Sequence, residues 1–302
     1  MKYVITGGAG FIGSNLVEQL VKEGNKVHVI DNFSFGKLEN CNKKAHYYNI
    51  DLSKKSNFNK VKDICKNADS VFHLACIARV QPSIKNPVEY EMNNTISTIN
   101  ILKASVESNV RRFIYSSSSS VYGNQTNLPL KEDFKTNPLS PYGAQKLYGE
   151  ILCKTFSKVY GLETVSLRYF NVYGEKQNID GAYALVIGIF LNQYMNKIPL
   201  TIRGNGKQKR DFTYVGDVVR ANILASQYKN IKPGEIFNIG NGDNRSVNQI
   251  ASYFGTEIKY IEKVFEPFET LADNSKAKDK LKWSPTVKVE DWINNTLEIY
   301  RV

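Results

Sequence analysis

The first thirteen residues constrain this chain most. Lys2–Thr6 is an apolar strand pattern that runs straight into TGGAGFIG, Thr6–Gly13, and a helical pattern, Phe11–Glu23, follows at once. Glycines 8, 10 and 13 fit G-x-G-x-x-G, and glycines 7, 10 and 13 fit its variant spacing. Between a strand and a helix, such a run lets backbone N–H groups and the positive helix end approach a pyrophosphate. The next strand pattern, Lys26–Asp31, ends in a carboxylate, where it can hold a ribose 2′-hydroxyl and repel a 2′-phosphate. The implied ligand is NAD rather than NADP. Asp51 and Leu52, after a third strand at Ala45–Asn49, stand where they could reach the adenine, although an Asp there could equally cap a helix.

Strand and helix patterns continue to alternate. A helix near Asn57–Lys66 precedes a strand at Ser70–Ala75, a long helix near Val88–Asn109 precedes a strand at Arg111–Ser116, and a helix from Pro141 to about Tyr160 precedes a strand at Glu163–Tyr169. Serial strand–helix–strand units imply right-handed crossovers and a parallel sheet. The expected class is α/β, a Rossmann-type doubly wound parallel sheet over residues 1–170. A smaller C-terminal α/β substrate lobe is expected over 171–302, with some of its segments returning to the first domain.

A chain of 302 residues buries a full core, and no run approaches the roughly 20 apolar residues of a membrane span, so a cytoplasmic protein with no membrane partner is expected. The net charge of +11 is spread along the chain without a basic, aromatic-interleaved block. It suits an anionic small molecule as well as it suits nucleic acid, and no nucleic-acid partner is expected. The four cysteines, Cys41, Cys65, Cys76 and Cys153, form no CxxC pair or His-linked spacing, which points to reduced thiols and no metal.

Residues 111–123 read RRFIYSSSSSVYG. A serine run usually marks a flexible linker, but this one begins at the carboxyl end of a core strand, on the sheet edge where open α/β folds bind ligands. Downstream, PYGAQK opens the next helix with Tyr142 and Lys146 at i and i+4, on one face. An ammonium there favours a phenolate and so lowers the phenol pKa, giving a base for a sugar hydroxyl. The same spacing recurs at Tyr228 and Lys232, but that copy runs into Pro233-Gly234 without the strand–helix context and reads as surface.

TGGAGFIG with Asp31, HLAC at 73–76, SSSSSVYG and PYGAQK resemble the extended short-chain dehydrogenase/reductase family. The resemblance extends over nearly the whole chain through RYFNVYGEKQ (168–177), RDFTYVGDVV (210–219) and LADNSKAKDKLKW (271–283). Within that family the chain looks most like NAD-dependent nucleotide-sugar 4-epimerases of the UDP-glucose or UDP-N-acetylglucosamine type. The resemblance implies that Tyr142 is the catalytic base, that Lys146 lowers its pKa and holds the nicotinamide ribose, and that Ser118 contacts the reacting sugar oxygen. It implies a cofactor shell of Gly7, Gly10, Phe11, Ile12, Gly13, Asp31, Asn32, Asp51, Leu52, Leu74, Ala75 and Asn94, together with Tyr142 and Lys146.

On the substrate side the resemblance implies Ser118, Ser120, Asn171 and Arg210, the last two gripping the diphosphate. Lys263 stands where the family often has a phosphate-binding Arg, Glu266 where it has an acid for a ribose, and Arg203 where an aromatic stacks on the base. Thr270 falls near the position that gates sugar size, and its small side chain would admit an N-acetyl group. Arg79 could favour a carboxylated sugar such as a glucuronate, or be structural. Related 4,6-dehydratases carry an Asp-Glu pair just before Val-Tyr-Gly, because elimination needs an acid and a base. This chain has Ser119 and Ser120 there, which favours C4 inversion through a 4-keto sugar. Two rival expectations are a UDP-glucuronate 4-epimerase or other nucleotide-sugar oxidoreductase or dehydratase, and a non-catalytic dinucleotide- or RNA-binding relative. A homodimer through the two long helices is expected by the same resemblance.

Overall fold

The computed structural model describes residues 1–181, 184–264 and 266–300. Strands β1 (Lys2–Thr6), β2 (Lys26–Asp31), β3 (His46–Asn49), β4 (Ser70–His73), β5 (Arg112–Ser118) and β6 (Glu163–Tyr169) are interleaved with helices α1 (Phe11–Lys22), α2 (Phe58–Cys65), α3 (Val80–Lys85), α4 (Pro87–Glu91), α5 (Ser97–Glu107) and α6 (Pro141–Tyr160). Then follow β7 (Val172–Tyr173), α7 (Val186–Met195), β8 (Leu200–Arg203), β9 (Lys209–Asp211), β10 (Thr213–Tyr214), α8 (Val215–Gln227) and β11 (Glu235–Ile239). The last elements are β12 (Asn244–Ser246), α9 (Val247–Ser252), β13 (Ile258–Ile261) and α10 (Val289–Tyr300).

Seven strands form one parallel sheet in the order β11-β6-β5-β4-β1-β2-β3. Successive side chains of a strand face opposite ways. In β1, Tyr3 and Ile5 enter a core shared with Leu16, Leu20, Val218 and Ala221 of α1 and α8, while Val4 enters one shared with Val61, Ile101, Leu102 and Cys153 of α2, α5 and α6. Helices thus cover both faces, and the central strands β1, β2 and β4 are buried along nearly their whole length, as strands of a covered parallel sheet are. The strand order reverses between β1 and β4, which opens a crevice at their carboxyl ends.

Three segments beyond residue 171 pack on this sheet: α8 lies against α1, β11 extends the sheet beside β6, and Ala277, Leu281 and Trp283 enter the core that Tyr3 and Ile5 line. The remaining elements build a separate core from Ile187, Phe190, Leu200, Ile202, Phe254 and Ile293, with small sheets β8–β13, β9–β12 and β7–β10. No helix of the described residues is long and apolar enough to cross a membrane.

Helix α6 keeps its expected ends because its stops are local. Ser140 Oγ accepts a hydrogen bond from the Gly143 N–H at 3.1 Å, Pro141 opens the first turn, and Gly161 closes it at φ 72°. The long helix expected from Val88 to Asn109 is instead α4 and α5 joined through a π-helical turn at Met92–Ile96. That turn carries Asn94, whose side chain clamps both the N–H and the C=O of Ile77 at 2.8 and 3.0 Å. Strand β4 ends at His73, short of the expected Ala75, because the Ala75 N–H turns to the Thr6 hydroxyl at 3.1 Å. Strand β5 runs two residues further into the serine row than expected, to Ser118.

Candidate active site

A cavity of ≈ 990 Å³ crosses the carboxyl ends of β1, β4 and β5 and continues into the second lobe. At one end it is walled by Gly7, Gly10, Phe11, Ile12, Gly13, Asp31, Asn32, Asp51, Leu52, Leu74 and Ala75. The loop after β1 has no room for side chains: a Cβ on Gly13 would lie 2.1 Å from the Gly7 carbonyl oxygen, and Gly7 itself holds φ +71°. Bare backbone therefore faces the cavity at the start of α1, which fits a pyrophosphate. Asp31 is buried, its two carboxylate oxygens accepting the Ala9 and Phe33 N–H groups at 2.9 and 2.8 Å, and it still forms part of the wall. A carboxylate there suits ribose hydroxyls and disfavours a phosphate, so the residues present fit NAD. Asp51 lines the cavity and accepts the Ser53 N–H at 2.9 Å in a local turn; the helices that follow start at Lys54 and Asn57 without a side-chain cap from it.

Near the middle of the cavity, Tyr142 and Ser116–Ser120 share the wall. Tyr142 is held through its N–H, which donates to Ser83 Oγ of α3 at 3.2 Å. Its phenol lies beside the Ser118 hydroxyl, which also accepts from the Ser120 N–H at 3.2 Å. Lys146 lies behind this wall rather than in it. Buried, it donates from Nζ to the Ser116 carbonyl at 2.7 Å and sits 5.2 Å from the Tyr115 ring centre and 5.8 Å from that of Tyr142. Burial works against its charge, but the ionisable Cys76, Tyr115 and Tyr142 around it outweigh burial, and its pKa is raised. The phenol differs from expectation. Burial raises the Tyr142 pKa overall, while Lys146, Ser118 and Arg79 pull it back down. Spacing in the sequence revealed the ammonium but not the desolvation, which dominates.

Toward the second lobe the wall includes Arg79, Asn171, Arg203, Arg210, Glu266 and Thr270. Arg210 pairs with Glu266 at 2.8 Å and not with its neighbour Asp211. The Asp211 carboxylate is buried and accepts the N–H groups of Asn241, Gly242 and Ala272, tying three segments together beside Arg210. Asn171 Nδ2 donates to the Asp211 carbonyl at 3.1 Å. The Thr270 hydroxyl is buried without a partner among the described residues.

Besides Lys146, two expected site residues stand off the wall. Lys263 is exposed and does not line the cavity, although Ile261, Val264 and Glu266 on either side of it do. Asn94 lies one layer back, where it holds the wall residue Ile77 and bonds Gln145 Oε1 at 2.9 Å. Sequence reasoning passed over Cys76, Gln81, Lys85 and Gln208, all of which line the cavity. The HLAC motif at 73–76 was the available signal for Cys76.

His73, in the same motif, is a support. Thr98 Oγ1 donates to the Asn94 carbonyl and so accepts from His73 Nε2–H, while Thr6 Oγ1 accepts the Ala75 N–H and so donates to Nδ1. The ring is neutral and ties β1, the 74–79 loop and the Asn94 turn together, and burial lowers its pKa to about 3.

Residues 3–240 match the sequence profile of the NAD dependent epimerase/dehydratase family. A putative UDP-glucose 4-epimerase of Methanocaldococcus jannaschii is 37% identical over 302 aligned residues, 97% of this chain and 96% of that protein. The crystal structure of a UDP-glucose 4-epimerase from Thermotoga maritima with UDP-glucose superposes with a TM-score of 0.95 at 35% identity, covering 100% of this chain and 99% of that one. A UDP-N-acetylglucosamine 4-epimerase from Methanobrevibacter ruminantium, in complex with UDP-N-acetylmuramic acid, gives 0.92 at 36% identity, covering 98% and 97%. With its bare-backbone loop, its Asp31 and its Tyr142–Ser118 pair on one cavity, the chain belongs to the NAD-dependent epimerase/dehydratase family.

Proposed function

We propose that the protein inverts C4 of a UDP-activated hexose, UDP-glucose/galactose or UDP-GlcNAc/GalNAc, through a 4-keto intermediate. One observation carries this reading: Tyr142 and Ser118 meet on the cavity wall while Ser119 and Ser120, beside them, supply hydroxyls and no carboxylate. A hydroxyl row can polarise an oxygen at C4 but lacks the acid that elimination of water requires.

NAD, held by the 7–13 loop and Asp31, supplies the acceptor and donor of the C4 hydride when bound. Tyr142 as phenolate takes the 4-hydroxyl proton, with Ser118 hydrogen-bonding the same oxygen. Lys146, fixed by the Ser116 carbonyl, stabilises that phenolate. In the lobe from residue 171 onward, Asn171, Arg203 and the Arg210–Glu266 pair anchor the nucleotide, so that the keto sugar can turn over in the wider sugar end. Tyr142 then returns its proton to the same C4 oxygen, the keto sugar having turned so that C4 presents its opposite face to the cofactor's hydride. The relatives named for C4 epimerisation of UDP-sugars support this assignment.

A second reading, a carboxylated hexose such as UDP-glucuronate, is favoured by Arg79. This residue is on the wall, close enough to act on the Tyr142 phenol, and is held at φ 103°, a left-handed backbone region costly for any residue but glycine. Incubating the protein with UDP-glucose, UDP-GlcNAc and UDP-glucuronate, and reading the C4 proton by NMR, tests both. Inversion without added cofactor is expected; failure to invert any of the three overturns the reading.

The protein is further assigned as a homodimer. Helices α4 and α6 pack side by side, and Val88 of α4, Met92 of the π-helical turn and Ile151 of α6 are exposed at 76%, 47% and 52%, apolar surface suited to a second copy. Its place is the cytoplasm, where its free thiols stay reduced.

A further inference from the structure

Three consecutive residues of β5 each engage a different turn of α6. The Ser116 carbonyl accepts from Lys146, the Ser117 hydroxyl donates to Glu150 Oε1, and the Ser118 hydroxyl lies beside the Tyr142 phenol. Tyr142, Lys146 and Glu150 are spaced four apart and so share one helix face. Arg168 of β6 is the register partner of Ser117 and grips the same carboxylate with its fork, from Nε to Oε1 at 2.9 Å and from Nη2 to Oε2 at 2.7 Å. Glu150 and Arg168 are 4% and 2% exposed. The guanidinium also stacks 4.6 Å over the Tyr122 ring, whose hydroxyl donates to Asn238 Oδ1 of β11 at 2.6 Å. The helix lies so close to the sheet here that a Cβ on Gly149 would sit 2.1 Å from the Tyr115 hydroxyl.

Stability alone does not call for this arrangement, since an apolar pair of similar size commonly serves a buried site as well as an ion pair does. An apolar pair would set no hydrogen-bonded register between this part of the helix and the sheet. A slip of one residue moves a helical side chain by about 1.5 Å along the axis and roughly 100° around it, and a misplacement of about 1 Å costs on the order of a hundredfold in rate. We infer that Glu150 and Arg168, linked through Ser117, are positioning residues that set the phase of α6 on the sheet and hold the Tyr142 phenol against Ser118. This role rests on the C4-inversion reading above. The nucleotide anchor lies on the other lobe, so loss of the pair lowers kcat and leaves KM in place.

The test compares Glu150→Gln, Ser117→Ala and the apolar double variant Glu150→Leu/Arg168→Met with the wild type in UDP-hexose turnover, melting temperature and the pH titration of tyrosinate absorbance. That absorbance is assigned by its loss in Tyr142→Phe. Glu150→Gln should lose about 5–10 °C in Tm and about a hundredfold in kcat with KM within about threefold. The double variant should recover Tm yet stay at least about thirtyfold down in kcat, with its Tyr142 absorbance titrating at higher pH. Should Glu150→Gln fail to fold, the double variant and Ser117→Ala decide, the latter losing about tenfold in kcat at unchanged Tm. Recovery of kcat together with Tm in the double variant, or an unmoved Tyr142 titration, overturns the inference. A wild type that inverts no UDP-hexose overturns the functional reading instead, and the tyrosinate titration still judges the positioning role.

Discussion

Replacing Lys146 by Met keeps the length of the side chain and removes one buried charge. In the folded protein that charge sits 5.8 Å from the centre of the Tyr142 ring. Two unit charges at this distance interact by about 3 kcal/mol at an effective dielectric constant near 20. The ammonium contributes this only to the phenolate, the reactive form, so its loss should appear in kcat as roughly a hundredfold fall near neutral pH. Burial already raises the pKa of the phenol, and without the ammonium it rises further. The alkaline-rising limb of the kcat profile should therefore move to higher pH, and part of the lost rate should return there. The assay is the rate of C4 inversion across the pH range, with saturating NAD and UDP-sugar, for wild type and variant. The reasoning is refuted if Lys146→Met lowers the rate equally at every pH, or changes KM alone.

Other consequences follow from the same geometry. Asp31→Asn removes the charge at the ribose end while leaving an oxygen for the Ala9 or Phe33 N–H, and should narrow the preference for NAD over NADP by about tenfold or more in equilibrium binding; an unchanged ratio would contradict the assignment. The neutral His73, with its pKa lowered to about 3 by burial, binds no proton in the folded state where the unfolded chain, titrating near 6.5, does. Its contribution is intact above about pH 6.5 and is lost as pH falls toward 3, by up to about 1.4 kcal/mol per pH unit, so His73→Gln should flatten the acid slope of urea-unfolding stability. Charges placed on the exposed helix face, in Val88→Glu/Ile151→Glu, should halve the mass seen by light scattering; a wild type already at one chain mass would refute the dimer.

The first half of the fold could be read from sequence because its signals are local. Ser140, Pro141 and Gly161 bound α6, and the buried parallel strand Lys2–Thr6 carries the continuous apolar run Tyr3–Ile5. Strand β11 could not be read this way, since Glu235–Ile239 is a strand only by virtue of pairing with β6, some seventy residues earlier. The nucleotide end depends on similar long reach: Asp211 is satisfied by N–H groups near 241 and 272, so the charge beside Arg210 in sequence is not its partner in space. Motif order pointed to Tyr142, Ser118 and the glycine loop on one cavity, whereas Lys263 follows the end of β13 in an irregular segment whose course no local pattern gives, and it stays off the wall. Burial, invisible in spacing, reversed the net direction of the Tyr142 shift.

The central claim is that hydrogen leaves C4 and returns to the same carbon within this cavity while Tyr142 handles only the hydroxyl proton. Turnover of a UDP-hexose labelled with deuterium at C4, in ordinary water, tests it directly. The account predicts a C4-inverted product that retains the deuterium at C4, with no net reduction of added NAD. Washout of the label into solvent, or inversion undiminished in Tyr142→Phe, would contradict it.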